Sequence, residues 1–424
     1  MIHLRGVPQF FQLNKMLIIN IKQLIGVREE PHLLRGKELS VLPFLENAFL
    51  RIEGETITDY GLMQVLDLSN ETDEIYDTKG AFVMPSWCDS HTHIVYAGSR
   101  ENEFIDKIKG VSYAEIAQKG GGILNSAKQI AETSEDELFE QAWQRLETVK
   151  QTGTGAIEIK SGYGLNIEGE LKMLRVIQRL RNSSNLLIKS TFLAAHTYPE
   201  AFKHNHQGYI RQIIDEMLPA VAAEKLADYI DVFCEDGFFS VAETEQILEA
   251  GYKYGLKPKI HANQLNCSGG VQVGVKHQAI SVDHLETMSQ AEIDCLANSN
   301  TIGTLLPSAA FFLRMQYPPA RQMLDANVAL ALASDFNPGS SPSGNMPFLI
   351  ALSCIQMKML PEEAINAATL NGAYAVEIDE QVGSITKGKL ANLIFTKPIP
   401  SLAYFPYSFG ENLIDKVMIR GRFQ

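Results

Sequence analysis

AFVMPSWCDSHTH, residues 81 to 93, decides the fold, because an apolar run ends directly in two histidines that lie one residue apart. Side chains spaced by two on an extended chain point to the same side, so His91 and His93 face one way. The chain has only ten histidines among its 424 residues. A pair at the end of a predicted strand therefore indicates a functional site there.

Seven further short apolar runs follow the first, and amphipathic segments with helical spacing separate them. Eight such runs, each followed by a helical segment, predict an α/β fold with a (β/α)₈ TIM-type barrel. A gap of roughly 70 residues separates the first two runs and predicts an insertion or a further element there. The runs are AFVMPSW (81–87), AIEI (156–159), LLIKSTFLA (186–194), YIDVF (229–233), LKPKI (256–260), AISVD (279–283), TIGTLL (301–306) and VALALAS (328–334).

Both ends of the chain carry strand-like alternation outside the barrel. FLRIEGETITDYG near the N-terminus and ANLIFTKP and NLIDKVMIRGR near the C-terminus alternate apolar and polar residues. Such strands need partners, so we expect the two ends to form one small flanking β-sandwich domain. The predicted divisions are an N-terminal extension (1–15), the two parts of the small domain (16–80 and 376–424) and the barrel (81–375).

Charge and composition exclude several classes of partner. The chain has 37 Lys and Arg against 50 Asp and Glu, a net charge of −13. Nucleic acid and anionic membranes are therefore not expected partners, and no apolar run approaches the roughly 20 residues of a membrane span. The five cysteines are dispersed without a CxxC pair, which predicts reduced thiols and a cytoplasmic location. A small-molecule substrate is the expected partner.

Polar residues follow several of the predicted barrel strands. His261 follows the fifth run, His284 the sixth, and Asp335 the eighth. Catalytic residues of such barrels cluster at the carboxyl ends of the strands. Taken singly, each residue is as compatible with a turn or a core position as with a site. Together with the histidine pair they predict one zinc or iron ion with an open position for water.

This arrangement resembles the amidohydrolase superfamily, whose barrels carry His-x-His on strand one, histidines on strands five and six, and Asp on strand eight. Many members add a carboxylated lysine on strand four that bridges two metals. Strand four here ends in Cys234, Glu235 and Asp236, which resembles the mononuclear branch. Lys160 follows the second run, and we interpret it as structural support for the site.

Five finer motifs resemble the imidazolonepropionase family. That resemblance implies hydrolysis of the cyclic amide of 4-imidazolone-5-propanoate to N-formimidoyl-L-glutamate, a step of histidine degradation. It extends from about residue 16 to the C-terminus. The motifs are HTHIVYAGSRENEF (91–104), KGGGILNSA (119–127), EIKSGYGL (158–165), TFLAAHTYP (191–199) and SDFNPGSSP (334–342).

The resemblance also implies roles for individual residues and a homodimeric assembly. The implied metal ligands are His91, His93, His261 and Asp335, and the implied catalytic residues are Asp335, His284 and Gln264. The implied substrate-binding residues are Arg100, Tyr113, Tyr163, His196, Gln264, Asn337, Gly339 and Ser340. Among them Arg100 pairs with the substrate carboxylate, which a guanidinium can bind through two parallel hydrogen bonds.

Gln264 separates the alternatives within the superfamily. Deaminases of the cytosine or guanine type usually carry Glu three residues after the strand-five histidine, as a proton shuttle. Gln264 cannot exchange protons, so an aminohydrolase of purines or pterins is the less favoured alternative, and Asp335 and His284 become the candidates for proton transfer. Asn263 stands where we expect Asp in close relatives. A barrel without catalysis is disfavoured, because all four metal ligands are present.

Overall fold

The computed structural model of the chain describes residues 15–111 and 121–424. The predicted extension lies outside these residues apart from Lys15, and so does the predicted substrate-binding residue Tyr113. Within the described ranges, no helix has the length and apolar character that crossing a membrane requires.

Both chain ends contribute to one mixed sheet of eight strands. The strands of this terminal sheet are β1 Lys15–Ile25, β2 Phe44–Glu53, β3 Thr56–Leu62, β4 Glu74–Asp77, β5 Phe82–Pro85, β14 Leu393–Thr396, β15 Ile414–Ile419 and β16 Arg422–Phe423. Their hydrogen-bonded order is β16-β15-β14-β5-β1-β2-β3, with β4 beside β1. Strand β1 pairs first with β4 and then with β5, and the change falls around Asn20, which has a left-handed φ of +55°.

A second sheet of eight parallel strands forms the barrel, with its strands in consecutive order. Past the ends of the first and last of these strands, Thr92 and Phe336 form a parallel bridge that brings the two edges together. The sheet is therefore nearly closed, as the predicted (β/α)₈ barrel requires. Its strands are β6 Trp87–Asp89, β7 Thr154–Lys160, β8 Leu187–Ala195, β9 Tyr229–Cys234, β10 Lys257–Ala262, β11 Ser281–His284, β12 Ile302–Leu305 and β13 Leu330–Leu332.

The apolar run at 81–87 is divided between the two sheets. Phe82–Pro85 pairs with β1 and β14 in the terminal sheet, and the barrel begins only at Trp87. The interpretation of this run as one barrel strand is therefore wrong for its first half. An apolar run predicts a strand but not the strands with which it pairs, since the two parts of this run are equally buried, one in each sheet.

At least one helix follows each barrel strand, and the described part of the long gap after β6 holds three, as the predicted insertion there implies. The α-helices are Glu101–Ile108, Ile123–Glu132, Glu135–Gln151, Ile167–Ser183, His206–Gln212, Leu218–Glu224, Val241–Tyr252, Gly270–Lys276, Gln290–Ala297, Pro307–Leu313, Ala320–Asp325, Met346–Met357, Pro361–Ala368, Leu370–Tyr374 and Tyr404–Tyr407. A π-helical turn, Ile213–Met217, joins the two helices after β8, and short 3₁₀ turns span Gly36–Ser40, Met63–Val65 and Glu200–Phe202.

Candidate metal centre and substrate cavity

Four side chains at the carboxyl ends of barrel strands bring their donor atoms together. His91 and His93 follow β6, His261 lies near the end of β10 and Asp335 follows β13. The His93 Nε2 atom lies 3.3 Å from that of His91 and 3.4 Å from that of His261. Asp335 Oδ1 lies 3.5 Å from His91 Nε2 and 3.6 Å from His93 Nε2. The four residues predicted as ligands therefore face one another, and all are buried.

These separations fit a bound cation. Two ligand atoms at 2.0–2.1 Å from a zinc ion, placed at a tetrahedral angle, lie about 3.3–3.4 Å apart. His91 Nδ1 lies 2.7 Å from Asp283 Oδ2, and His261 Nδ1 lies 2.9 Å from Asp231 Oδ2. A carboxylate beside Nδ1 favours the tautomer that has its proton on that nitrogen, which turns the lone pair of Nε2 inward. Facing lone pairs repel one another unless a cation lies between them, and three imidazoles with one carboxylate suit zinc or iron.

Burial keeps the ligand histidines uncharged. Burial, together with neighbouring cationic groups, lowers the pKa of His91 and of His93 well below the ordinary value. Burial also lowers the pKa of His261, although the Asp231 carboxylate opposes it. A histidine binds metal through an unprotonated nitrogen, so protons do not compete with a metal here at neutral pH.

A buried ionic layer lies beneath these histidines. Lys160 Nζ lies 2.7 Å from Glu158 Oε1, 2.9 Å from Asp231 Oδ2 and 3.7 Å from Asp283 Oδ2. Lys259 Nζ lies 3.8 Å from Asp283 Oδ2. Burial opposes the charge of Lys160, but the carboxylates of Asp231 and Glu158 outweigh it and raise the pKa of this lysine. The layer thus fixes the two aspartates that orient two of the ligand histidines.

The backbone turns sharply where three of these strands end. Asn263, His284 and Asp335 have φ values of +57°, +91° and +52°, a conformation that costs a non-glycine residue about 1–3 kcal/mol and is concentrated at functional sites. The Asn263 amide donates to Glu292 Oε1 at 2.8 Å. An aspartate at this position would instead oppose the Glu292 carboxylate, so the local neighbourhood favours the asparagine that the chain has.

His284 lies beside Asp335 at the candidate centre, and the pKa of both groups is raised. His284 Nδ1 lies 3.3 Å from Glu286 Oε1, and although burial lowers its pKa, Glu286 and Asp335 raise it to about 9. Burial raises the pKa of Asp335 to about 6, against the effect of His284. The Ser340 hydroxyl donates to Asp335 Oδ2 at 3.0 Å. Asp335 therefore faces the histidines with Oδ1 and keeps Oδ2 beside a hydroxyl group.

A cavity of about 520 Å³ opens above these groups, a size suited to a small molecule. It brings together every predicted site residue within the described ranges except His91, which lies beneath it. Those lining residues are His93, Arg100, Tyr163, His196, His261, Gln264, His284, Asp335, Asn337, Gly339 and Ser340.

Two rings form a wall of the cavity beside the metal ligands. His196 stacks on His93 with ring centroids 5.3 Å apart and planes 15° apart. The Tyr163 ring lies 5.4 Å from the His196 ring. His196 Nδ1 lies 3.0 Å from the Gly162 carbonyl oxygen, and burial, followed by the charge of His261, lowers the pKa of His196 to about 3. The ring is therefore neutral, with its proton directed to the carbonyl.

The loop after β13 is shaped by its own asparagine. Asn337 Oδ1 accepts hydrogen bonds from the backbone N–H groups of Gly339 and Ser340, each at 2.8 Å. The Asn337 amide donates to Ser340 Oγ at 2.6 Å. These N–H groups are used within the turn, so the loop meets the cavity with its carbonyl and side-chain groups.

Several residues around the site do not belong to any of the motifs identified in the sequence. Asp231, Asp283 and Glu286 contact histidines of the candidate site, and Lys107 and Phe312 line the cavity. A signal for the two aspartates is present in the sequence. Each is the one charged residue within an apolar run, YIDVF or AISVD, and a charge inside a buried strand needs a partner.

Comparison with known proteins places this architecture in a family. The chain matches the amidohydrolase family over residues 82–423. An imidazolonepropionase of Flavobacterium johnsoniae is 57% identical over 407 residues, which cover 96% of this chain and 99% of the relative. The imidazolonepropionase of Christiangramia forsetii is 54% identical, over 96% of this chain and 99% of its own. That of Shouchella clausii is 40% identical, over 94% of this chain and 89% of its own.

Solved structures share the fold at much lower sequence identity. A triazine hydrolase variant superimposes with a TM-score of 0.69 at 14% identity, covering 96% of this chain and 94% of that one. An adenosine deaminase from Xanthomonas campestris, solved with bound zinc, gives a TM-score of 0.67 at 15% identity, covering 97% of this chain and 92% of that one. At such identities the likeness extends to the fold alone.

Proposed function

The chain belongs to the amidohydrolase family and, within it, to the imidazolonepropionases, and we propose that its cavity performs their reaction. It hydrolyses the cyclic amide of 4-imidazolone-5-propanoate to N-formimidoyl-L-glutamate, a step of histidine degradation. The observation that carries this assignment is the 57% identity to an imidazolonepropionase over nearly the whole of both chains.

In the proposed reaction one C–N bond of the ring breaks and the elements of water are added. The water oxygen forms a bond to the ring carbonyl carbon, and one water proton passes to Asp335, which returns it to the departing ring nitrogen. The second water proton stays on the new carboxyl group until that group ionises. A metal held by His91, His93, His261 and Asp335 supplies Lewis acidity, which acidifies water and polarises a carbonyl. Zinc or iron fits this donor set of three imidazoles and one carboxylate.

Asp335 is the proposed proton carrier because its two carboxylate oxygens have different surroundings. Oδ1 faces the histidine Nε2 atoms, whereas Oδ2 accepts a hydrogen bond from the Ser340 hydroxyl. Oδ2 thus keeps a lone pair for a water proton. His284, held by Glu286, is proposed to donate a hydrogen bond to the oxygen on which negative charge develops.

The remaining cavity residues are proposed to position the substrate. Arg100 binds the propanoate, Gln264 donates to or accepts from the ring amide, and Tyr163 and His196 flank the ring. The loop residues Asn337, Gly339 and Ser340 close the opposite side, and Tyr113 completes the proposed substrate-binding set. Assembly as a homodimer and a cytoplasmic location are also proposed; the five unpaired thiols favour the latter.

The test is to add 4-imidazolone-5-propanoate to the purified, metal-replete chain and follow its ultraviolet absorbance while identifying the product by mass. We expect formimidoylglutamate to form, chelation to stop its formation and added metal to restore it. An inert, metal-replete protein would refute the substrate assignment. Ammonia release from a purine or pterin amine would then favour the aminohydrolase alternative.

A further inference from the structure

A lysine lies in the outer part of the cavity, where the sequence motifs assign only Arg100 as a cation. Lys107 is in the last turn of the helix Glu101–Ile108 and lines the same cavity as Arg100 and His93. Its ammonium donates to the Gly339 carbonyl oxygen at 3.0 Å and lies 5.7 Å from the ring centroid of Phe312. An ammonium has three donors, so two of them remain for another partner.

Of these two cations, Arg100 is the one that pairs with the Glu103 carboxylate. Arg100 donates to Glu103 Oε2 from Nε at 2.9 Å and from Nη2 at 2.5 Å. The other oxygen of Glu103 accepts from Gly122 N–H and from the Asn125 amide. Glu103 is thus committed to Arg100 and to the adjacent turn. Among the described residues, Lys107 has no carboxylate within ion-pair distance, so its positive charge is the unbalanced one.

The environment of Lys107 favours an anion beside it. The side chain is half-buried, and burial followed by the nearby Arg100 charge lowers the pKa of Lys107, with Glu103 opposing. Groups that destabilise an ammonium make a carboxylate partner more favourable, because the anion compensates both lost hydration and like-charge repulsion.

The two cations also converge on one point of the loop. A Cβ placed on Gly339 would collide with the Arg100 guanidinium, with Cζ only 2.9 Å away. Lys107 bonds the carbonyl oxygen of the same residue. Arg100 and Lys107 therefore reach the Gly339 backbone from two sides, which places both positive charges at the same end of the cavity.

We propose that Lys107 is a second carboxylate-binding residue and that it forms, with Arg100, a two-cation site for the propanoate of the substrate. This rests on the proposed function and extends it, because the family resemblance gives the tail to Arg100 alone. The charge that remains after Arg100 has paired with Glu103 belongs to Lys107. Lys107 accordingly contributes much of the preference for an anionic over a neutral ligand.

The test compares Lys107→Met, which keeps an unbranched apolar stem beside Phe312, with Lys107→Arg, which keeps the charge. Lys109→Met is the matched control, since Lys109 is exposed two residues away and does not line the cavity. KM and kcat are measured for 4-imidazolone-5-propanoate and for its neutral propanamide analogue. We expect Lys107→Met to raise KM for the carboxylate about tenfold, since a charge-assisted hydrogen bond is lost.

The other outcomes decide between binding and support of the loop. We expect Lys107→Met to leave KM for the propanamide little changed. We expect Lys107→Arg to recover much of the KM for the carboxylate, and Lys109→Met to keep the wild-type KM and kcat. Equal losses for both substrates, or a fall in kcat alone, would show that Lys107 only tethers the loop through Gly339. An unchanged KM for the carboxylate would also overturn the proposal.

A binding experiment separates this proposal from the proposed function. Imidazole-4-propanoate has the same tail but no hydrolysable amide, and its affinity is measured by calorimetry beside that of its propanamide. We expect the wild-type protein to prefer the carboxylate and Lys107→Met to lose most of that preference, even if the chain fails to hydrolyse the imidazolone. A wild-type protein without the preference would contradict the two-cation site.

Discussion

The floor and the mouth of the cavity are built in different ways. On the floor, the four candidate metal ligands lie at the carboxyl ends of barrel strands and are buried, and two of them, His91 and His261, contact Asp283 and Asp231. At the mouth, Arg100 and Lys107 extend from a helix and its start, and the loop at Gly339 faces them. Side chains at the strand ends of the floor set the position of the proposed reaction. Side chains on the helix and loop of the mouth select which molecule binds.

Asp335→Asn is expected to have the largest effect, because it removes the proposed proton acceptor from the floor. Asparagine tolerates the left-handed φ of +52° at this position, so the fold should survive. We expect kcat to fall about a thousandfold, within the range for losing general base catalysis. Steady-state rates, with circular dichroism as the control for folding, measure this. Activity near the wild-type level would show that another group takes the proton.

Asp283→Asn tests the carboxylate that orients His91 and leaves the proposed metal ligands themselves unchanged. Its Oδ2 lies 2.7 Å from His91 Nδ1, and loss of such a support typically lowers metal affinity by ten- to a hundredfold. We expect a loss of about a hundredfold, at the upper end of that range, because Lys160 and Lys259 also lose a carboxylate neighbour. Competition with a chelator of known affinity gives the constant. Asp325→Asn, on an exposed helix end, is the control and should bind metal normally.

Arg100→Ala tests the mouth, where KM should respond more than kcat. We expect KM to rise about thirtyfold, since a charged hydrogen bond is lost and the Glu103 carboxylate is left unpaired beside the tail. The double variant Arg100→Ala/Glu103→Gln should recover part of this loss, because it removes the repulsion. If the double variant is no better than the single one, Glu103 does not oppose the substrate anion. An unchanged KM in the single variant would remove Arg100 from the tail-binding site.

Gly339→Ala should have the smallest effect and should confine it to the mouth. The new Cβ would displace the Arg100 guanidinium, and a long flexible side chain can move away at small cost. We expect KM for the carboxylate substrate to rise about threefold, equivalent to roughly 0.6 kcal/mol, with metal affinity unchanged. A fall in metal affinity would show that the loop also supports the floor through the Ser340–Asp335 hydrogen bond.

The floor was more predictable from the sequence than the mouth. His91, His93, His261 and Asp335 stand at strand ends, and strand order in a parallel barrel brings such positions together whatever the details of packing. Lys107 lies eighteen residues past β6 in a helical segment, where nothing local distinguishes it from the exposed Lys109. Its place in the cavity depends on how that helix packs, which is a tertiary property.

The pairing of strands in the terminal sheet, like the position of Lys107, depends on tertiary structure that a local sequence pattern does not contain. The alternation of both chain ends predicted strands that share a sheet, and both ends do so. The run at 81–87 nevertheless belongs half to each sheet, because the assignment of Phe82–Pro85 depends on β14, more than three hundred residues later. Pairing between distant segments leaves no trace in a local pattern.

The place of β5 between β1 and β14 has a consequence for the order in which the protein can form during synthesis. One edge of β5 can pair with β1 as soon as residue 85 has left the ribosome, but the other edge waits for Leu393–Thr396. At 5–20 residues per second that wait is roughly 15–60 seconds. Throughout it, the strand that leads directly into the barrel presents an open hydrogen-bonding edge, which is where a nascent chain is most exposed to wrong pairing.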